Sequence, residues 1–134
     1  MSNNPIEDQL AIQELINTFL AACWRKDSTL WGNTFAEDGS WKIDMLDEPV
    51  VGREKVVAVY EGLMQHIEFV TITAFANELV IDGDKATGKV YSNENIIRKD
   101  GGQMILVGCH HDEYVKHGGR WYFQSRRFET LRRS

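Results

Sequence analysis

The first part of the chain repeats apolar residues at three- and four-residue intervals, the spacing that places them on one face of an α-helix. Asn4 is a candidate N-cap, and Pro5 suits the first helical position. The same pattern predicts a short second helix over 30–35 and a third over 53–66. The stripe of the first helix comprises Ile12, Leu15, Ile16, Phe19, Leu20 and Cys23.

Alternating polar and apolar residues predict a strand over 40–45, after a turn signal at 37–39. Three glycine-containing turn signals then divide the second half of the chain into four predicted strands over 69–81, 85–98, 103–116 and 120–130. They exceed the usual strand length of about 5–6 residues, and long antiparallel strands curl. We therefore expect an α+β fold: three helices packed on a strongly curved, mainly antiparallel sheet, with a cone-shaped pocket between them.

The chain has 134 residues and a net charge of −5, which suits a single domain over 1–134. Its acidity argues against nucleic acid as a partner, because binding phosphates needs clustered basic residues. No apolar run approaches the ~20 residues of a membrane span, and the first residues do not form a secretory signal. We expect a cytoplasmic protein without a membrane partner, with Cys23 and Cys109 reduced.

Five short segments stand in a recognisable order and spacing along the chain: 11–15, 35–41, 81–86, 108–114 and 119–123. Together they resemble the SnoaL-like branch of the nuclear-transport-factor-2-like superfamily, which includes polyketide cyclases, scytalone dehydratase and hexachlorocyclohexane dehydrochlorinase. The resemblance implies the cone-shaped fold. Dehydratase-like members use an Asp–His dyad, whose two positions fall on Trp24 and Thr73 here. The resemblance therefore does not carry that elimination mechanism to this chain.

The resemblance places Thr73 and Asn77 inside the cone, and alternation then puts Phe75 on the same face. On the next strand, either the set of Tyr91, Asn93 and Asn95 or the set of Ser92, Glu94 and Ile96 faces inward, and the sequence does not decide between them.

Aromatic and polar residues supply candidate ligand contacts. Asn77 would anchor a carbonyl or hydroxyl group. One of the neighbouring Arg126 and Arg127 would face inward and bind an anionic oxygen. The candidate walls of a flat apolar site, which would otherwise be ordinary core residues, are Trp24, Trp41, Phe75 and Tyr91.

Two residues are candidates for proton transfer. His110 is the first, because imidazole titrates near neutral pH; its alternative is a structural histidine bonded to Asp112 or Tyr114. Glu94 is the second, because an apolar surrounding would raise its pKa; its alternative is a solvent-facing carboxylate. The Cys-His-His-Asp run at 109–112 offers at most two ligands on one strand face, and no further histidine lies on a neighbouring strand. We expect no metal site.

These features favour a cofactor-independent lyase, isomerase or cyclase acting by proton transfer on a small hydrophobic, preferably cyclic, molecule. The alternative is a non-catalytic small-molecule-binding or dimerisation module. A sheet with one uncovered face also predicts a homodimer, with a trimer as the alternative.

Overall fold

The computed structural model describes residues 5–134. Its helices are α1 (Pro5–Arg25), α2 (Ser28–Gly32) and α3 (Arg53–Met64). Its strands are β1 (Phe35–Lys42), β2 (Val50–Val51), β3 (Ile67–Asp82), β4 (Lys85–Arg98), β5 (Gln103–His117) and β6 (Arg120–Arg133). They form one curved sheet in the order β2-β1-β6-β5-β4-β3. The α+β fold predicted from the sequence is confirmed.

The helices begin within two residues of their predicted positions, and the start of α2 has a clear local cause. The Asp27 carboxylate accepts a hydrogen bond of 3.0 Å from the backbone N–H of Leu30 and so caps α2, which starts at Ser28. Helix α1 is described from Pro5, so the expected Asn4 cap lies outside the described residues.

The first strand differs from its prediction. The turn expected at 37–39 lies inside β1, and the strand ends at Lys42 rather than at residue 45. The cause is a long-range pairing: β1 runs parallel to β6, and their register shifts between Phe35 and Ser40. The other neighbouring strands pair antiparallel.

The β5–β6 hairpin contains an extra residue that changes which side chains face the helices. Tyr114 lies opposite Phe123, but Glu113 lies opposite Ser125, so Gln124 is left unpaired as a bulge. Before the bulge, Trp121 and Phe123 are buried; after it, Arg126 and Phe128 are buried. Odd-numbered residues thus face inward before Gln124, and even-numbered ones after it.

The core lies between the apolar stripe of α1 and the inner face of the sheet, by which we mean the face that the helices cover. Ile12, Ile16 and Phe19 of α1 are buried there. Asp8 fixes the start of α1 to the sheet, accepting hydrogen bonds from the Trp121 indole at 2.9 Å and the Lys116 ammonium at 3.1 Å. Among residues 5–134, no helix has both the length and the apolar composition to cross a bilayer.

Gly108 of β5 allows Phe128 to pack against the strand. A Cβ atom at this position would collide with the Phe128 ring and lie 2.6 Å from the Glu129 carbonyl oxygen. We expect Gly108→Ala to lower the free energy of unfolding by about 1–3 kcal/mol, because an overpacked core must shift. Urea denaturation measures the change. The control Gly62→Ala lies in α3 with open space around it, and should be neutral or slightly stabilising. Equal stability of the two variants would contradict this packing.

Candidate active site

The inner face of the sheet carries polar side chains as well as core residues. On β4 the structure selects the second of the two predicted sets: Ser92 is buried and Glu94 partly buried on this face, whereas Asn93 is exposed on the other. On β5 the inward residues include His110, Asp112 and Tyr114, at 5%, 3% and 2% exposure.

A buried ion pair forms the most rigid part of this face. The Arg126 guanidinium donates two hydrogen bonds to Asp112, from Nε to Oδ1 at 2.7 Å and from Nη2 to Oδ2 at 3.0 Å. Tyr114 donates a third to the same carboxylate at 2.9 Å. The guanidinium also lies over the rings of Phe19 and Phe123, at 4.4 and 4.1 Å. Its Nη1 group is buried without a hydrogen-bond partner among the described residues. The arrangement therefore holds a fixed cation with one NH2 group, Nη1, that has no partner among residues 5–134.

Glu94 lies within electrostatic reach of Arg126. Burial raises the pKa of the Glu94 carboxyl to about 7, although the Arg126 charge acts in the opposite direction. At neutral pH the side chain is thus close to half ionised, which is the condition for accepting or returning a proton with little cost.

Two further side chains share this electrostatic environment. Burial raises the pKa of the Cys23 thiol to about 12, and the charge of Glu94 adds to the effect. Burial also raises the pKa of Tyr60, with the charges of Cys23, Asp27 and Glu94 as smaller causes. Both groups therefore stay protonated. Within 5–134, no partner is found for the buried Tyr60 hydroxyl, which leaves it able to donate a hydrogen bond.

His110 lies on the inner face of the sheet and is enclosed there, at 5% exposure. Both ring nitrogens are buried with no partner in the described part of the chain, and the ring packs 4.8 Å from Phe128 and 6.1 Å from Phe19. Burial lowers the pKa of His110 well below its usual value, and the charges of Arg126 and His111 lower it further. The imidazole is neutral at physiological pH, and the expected bond to Asp112 or Tyr114 is not formed.

The expected inward orientation of Thr73, Phe75 and Asn77 on β3 is wrong, and Tyr91 belongs to the set of β4 residues that faces outward. Thr73, Phe75 and Asn77 are exposed on the outer face, and Phe75 stacks on Tyr91 there with 5.5 Å between ring centroids. Alternation correctly groups these residues, but apolar burial decides which group turns inward. The inward positions of β3 hold Val70, Ile72, Ala74 and Ala76.

The remaining residues predicted to contact a ligand lie in three different environments. Trp41 is buried in the core beside Trp31. Trp24 is 45% exposed, and its indole donates to the Ile72 carbonyl oxygen at 2.8 Å. Arg126 faces inward and Arg127 outward, which resolves the choice left open by the sequence.

The sequence pattern did not indicate that Tyr60 and Cys23 are electrostatically coupled to Glu94. Each belongs to a helical apolar stripe, where a hydroxyl or thiol is indistinguishable by pattern from an ordinary core residue. Only the folded structure shows this coupling.

The outer face of the sheet carries separate chemistry. A groove of about 540 Å³ is lined by residues that include Lys89, His111 and Arg127. Cys109, His111 and Glu129 bring a thiol, an imidazole and a carboxylate together beside it. The homodimer expected from this open face stays a prediction.

Comparisons with known proteins agree with this architecture. The profile of the SnoaL-like domain family matches residues 4–127. No curated protein matches the chain significantly. Among solved structures, a proposed aromatic ring hydroxylase from Novosphingobium aromaticivorans is 21% identical, with a TM-score of 0.87 over 98% of this chain and 95% of that one.

Two other solved structures carry names of elimination enzymes. A hexachlorocyclohexane dehydrochlorinase, LinA type 2, is 15% identical, with a TM-score of 0.85 over 97% of this chain and 89% of that one. A proposed scytalone dehydratase from Novosphingobium aromaticivorans is 18% identical, with a TM-score of 0.84 over 97% of this chain and 88% of that one. At these identities the likeness shows the fold alone.

Proposed function

The chain belongs to the SnoaL-like domain family, and from that premise we propose that it is a lyase- or isomerase-type enzyme that moves a proton on a small hydrophobic molecule without a cofactor. The names of two structural neighbours, a dehydrochlorinase and a proposed dehydratase, support this reaction class. Both names describe eliminations, in which a base removes a proton while a leaving group departs.

Glu94 is the proposed base. Its carboxylate would take a proton from the substrate, and the electrons of the broken bond would form a new double bond as a leaving group departs or a carbonyl becomes an enolate. A base with a pKa of about 7 suits this step, because it is available at neutral pH and still strong enough to hold the proton.

Arg126 is the proposed stabiliser of developing negative charge. Its Nη1 group has no partner in residues 5–134, while the bonds to Asp112 hold the rest of the guanidinium in place. Tyr60 would add a second donor from its unpartnered hydroxyl. Donors already oriented toward the developing charge need no reorganisation during the reaction. The observation that carries the proposal is the buried Arg126 guanidinium, held by Asp112 and with an unpartnered Nη1, which is electrostatically coupled to Glu94 on the same face of the sheet.

The surroundings favour a hydrophobic substrate. Phe19 and Phe128 flank the polar groups, and the inward side chains of β3 are aliphatic or alanine. An apolar wall with a few polar groups is typical of sites for small organic molecules.

We expect Glu94→Gln to reduce turnover at least about 100-fold, since the amide cannot accept the proton. The measurement requires a substrate, which can be sought by thermal-shift screening of cyclic ketones, alcohols and halides. For the wild type, kcat/KM should rise with pH through about 7 as Glu94 ionises. Glu113→Gln is the matched control, because Glu113 is exposed on the outer face of β5.

Two results would contradict the proposal. One is full turnover by Glu94→Gln. The other is a ligand that binds to the wild type beside Glu94 and is never converted, which would favour the binding-module alternative.

A further inference from the structure

Three different metal-ligand groups meet on the outer face of the sheet, away from the candidate active site. Cys109 and His111 lie two residues apart on β5, so their side chains share a face. Glu129 of β6 lies directly opposite Cys109 in the hairpin register. The Sγ, imidazole nitrogen and carboxylate oxygen lie within 4.8 Å of one another. The run 109–112 supplies two ligands, as expected from the sequence, and the third comes from the neighbouring strand.

We propose that Cys109, His111 and Glu129 form a binding site for a divalent transition-metal ion, with Zn²⁺ as the preferred ion. Thiolate, imidazole and carboxylate are the three side-chain groups that zinc uses in proteins. A thiolate and a carboxylate together also neutralise the two charges of the ion. On binding, the Cys109 S–H bond breaks, its proton goes to solvent, and the sulfur lone pair forms the bond to the metal.

The distances between the three ligand atoms require only small side-chain movements for all three to bind one ion. In a tetrahedral zinc site the ligand atoms are about 3.3–3.8 Å apart, as follows from bonds of 2.0–2.3 Å. His111 Nε2 and Glu129 Oε1 are 2.9 Å apart and would separate slightly. The Cys109 sulfur needs to approach the other two ligand atoms by up to about 1.5 Å. Torsion changes of the Cys109 and Glu129 side chains together supply this movement.

The surroundings of the three ligands provide a buried floor for the site and a route from solvent to it. Cys109 is 2% exposed, so its sulfur would form the floor of the site. The side chains of His111 and Glu129 are 28% and 49% exposed and would close over the ion from the solvent side. His111 also lines the outer groove of about 540 Å³, which gives the ion a route in. Three protein ligands leave a fourth position for water or an exogenous ligand.

Metal titration of the purified full chain tests the site. Co²⁺ serves as a spectroscopic substitute for Zn²⁺, because a cobalt–thiolate bond gives a charge-transfer band that carboxylate and imidazole alone do not. We expect one equivalent of Co²⁺ to produce this band, and Zn²⁺ to displace it. Calorimetry should show that Cys109→Ala, His111→Ala and Glu129→Gln each weaken Zn²⁺ binding at least about tenfold.

Matched controls separate this site from unspecific binding. Cys23→Ala removes the other thiol and His117→Ala removes an exposed histidine of the same strand, and neither should change the affinity. Circular dichroism checks that Cys109→Ala is folded; if it is not, His111→Ala and Glu129→Gln decide. The proposal is overturned if the thiolate band is absent, or if His111→Ala and Glu129→Gln bind Zn²⁺ as the wild type does. In either case, His111 and Glu129 form only an ordinary hydrogen-bonded pair.

Discussion

Asp112→Ala is expected to lower the free energy of unfolding by about 3–5 kcal/mol, the usual cost of removing one partner from a buried ion pair. The side chains of Arg126 and Asp112 are 1% and 0% exposed. Without Asp112, the Arg126 cation would stay buried with its two hydrogen bonds lost, and the Tyr114 hydroxyl would lose its acceptor. Urea denaturation at neutral pH measures the change.

Glu113→Ala is the control for this experiment, because Glu113 is the next residue of β5 and is exposed on the opposite face. Its effect should stay within about 0.5 kcal/mol. A triple variant, Asp112→Leu with Tyr114→Phe and Arg126→Met, removes every member of the network and should recover most of the loss. If Asp112→Ala were no less stable than Glu113→Ala, the buried cation would not depend on this carboxylate, and its assigned role in the site would fail.

Glu94→Gln is expected to make the protein more stable above neutral pH. Burial raises the pKa of Glu94 from 4.5 to about 7 in the folded chain. The folded state therefore holds this proton more tightly than the unfolded state. The resulting stability is fully present below pH 4.5 and is lost as the pH rises through 7. At pH 8.5 the wild type should carry a penalty of about 3 kcal/mol that the neutral amide avoids.

Urea denaturation of wild type and Glu94→Gln from pH 4 to 8.5 measures this difference. The two proteins should have similar stability at pH 4 and diverge progressively through neutral pH. Glu113→Gln should follow the wild type over the whole range. A constant difference between wild type and Glu94→Gln at all pH values would show that the carboxyl titrates normally, and would remove the basis for its role as a base. A gain in stability combined with loss of turnover would be the expected signature of a destabilising catalytic group.

Local patterns were sufficient for most elements of the fold. Helix α1 and strands β3 to β6 agree with their predictions because amphipathic spacing and turn residues act within a few positions of the chain. The pairing of β1 with β6 was not predictable in this way. It joins segments about 85 residues apart, and its parallel register depends on where the helices place the two strands.

The site was harder to predict than the fold because each feature combines distant residues. Alternation groups Ser92 with Glu94, but it does not say which group is inward until the helices cover one face. For the same reason Glu94, rather than His110, is the better candidate for proton transfer. Enclosure lowers the pKa of the His110 imidazole and keeps it neutral, while burial raises the pKa of the Glu94 carboxyl to about 7. The sequence did not predict the cluster of Cys109, His111 and Glu129, because Glu129 lies on the opposite strand of the hairpin.

The bulge at Gln124 in the β5–β6 hairpin decides which side chains of β6 face the helices. If β6 continued from the turn without the bulge at Gln124, Phe128 would lie opposite Cys109, and Ser125 would lie opposite Asp112. Neither the internal guanidinium pair nor the external cluster would then form. The bulge thus exchanges the two faces of β6, so that Arg126 and Phe128 face the helices while Glu129 lies on the outer face. One extra residue therefore sets the position of both the buried guanidinium and the outer Cys109, His111 and Glu129 cluster.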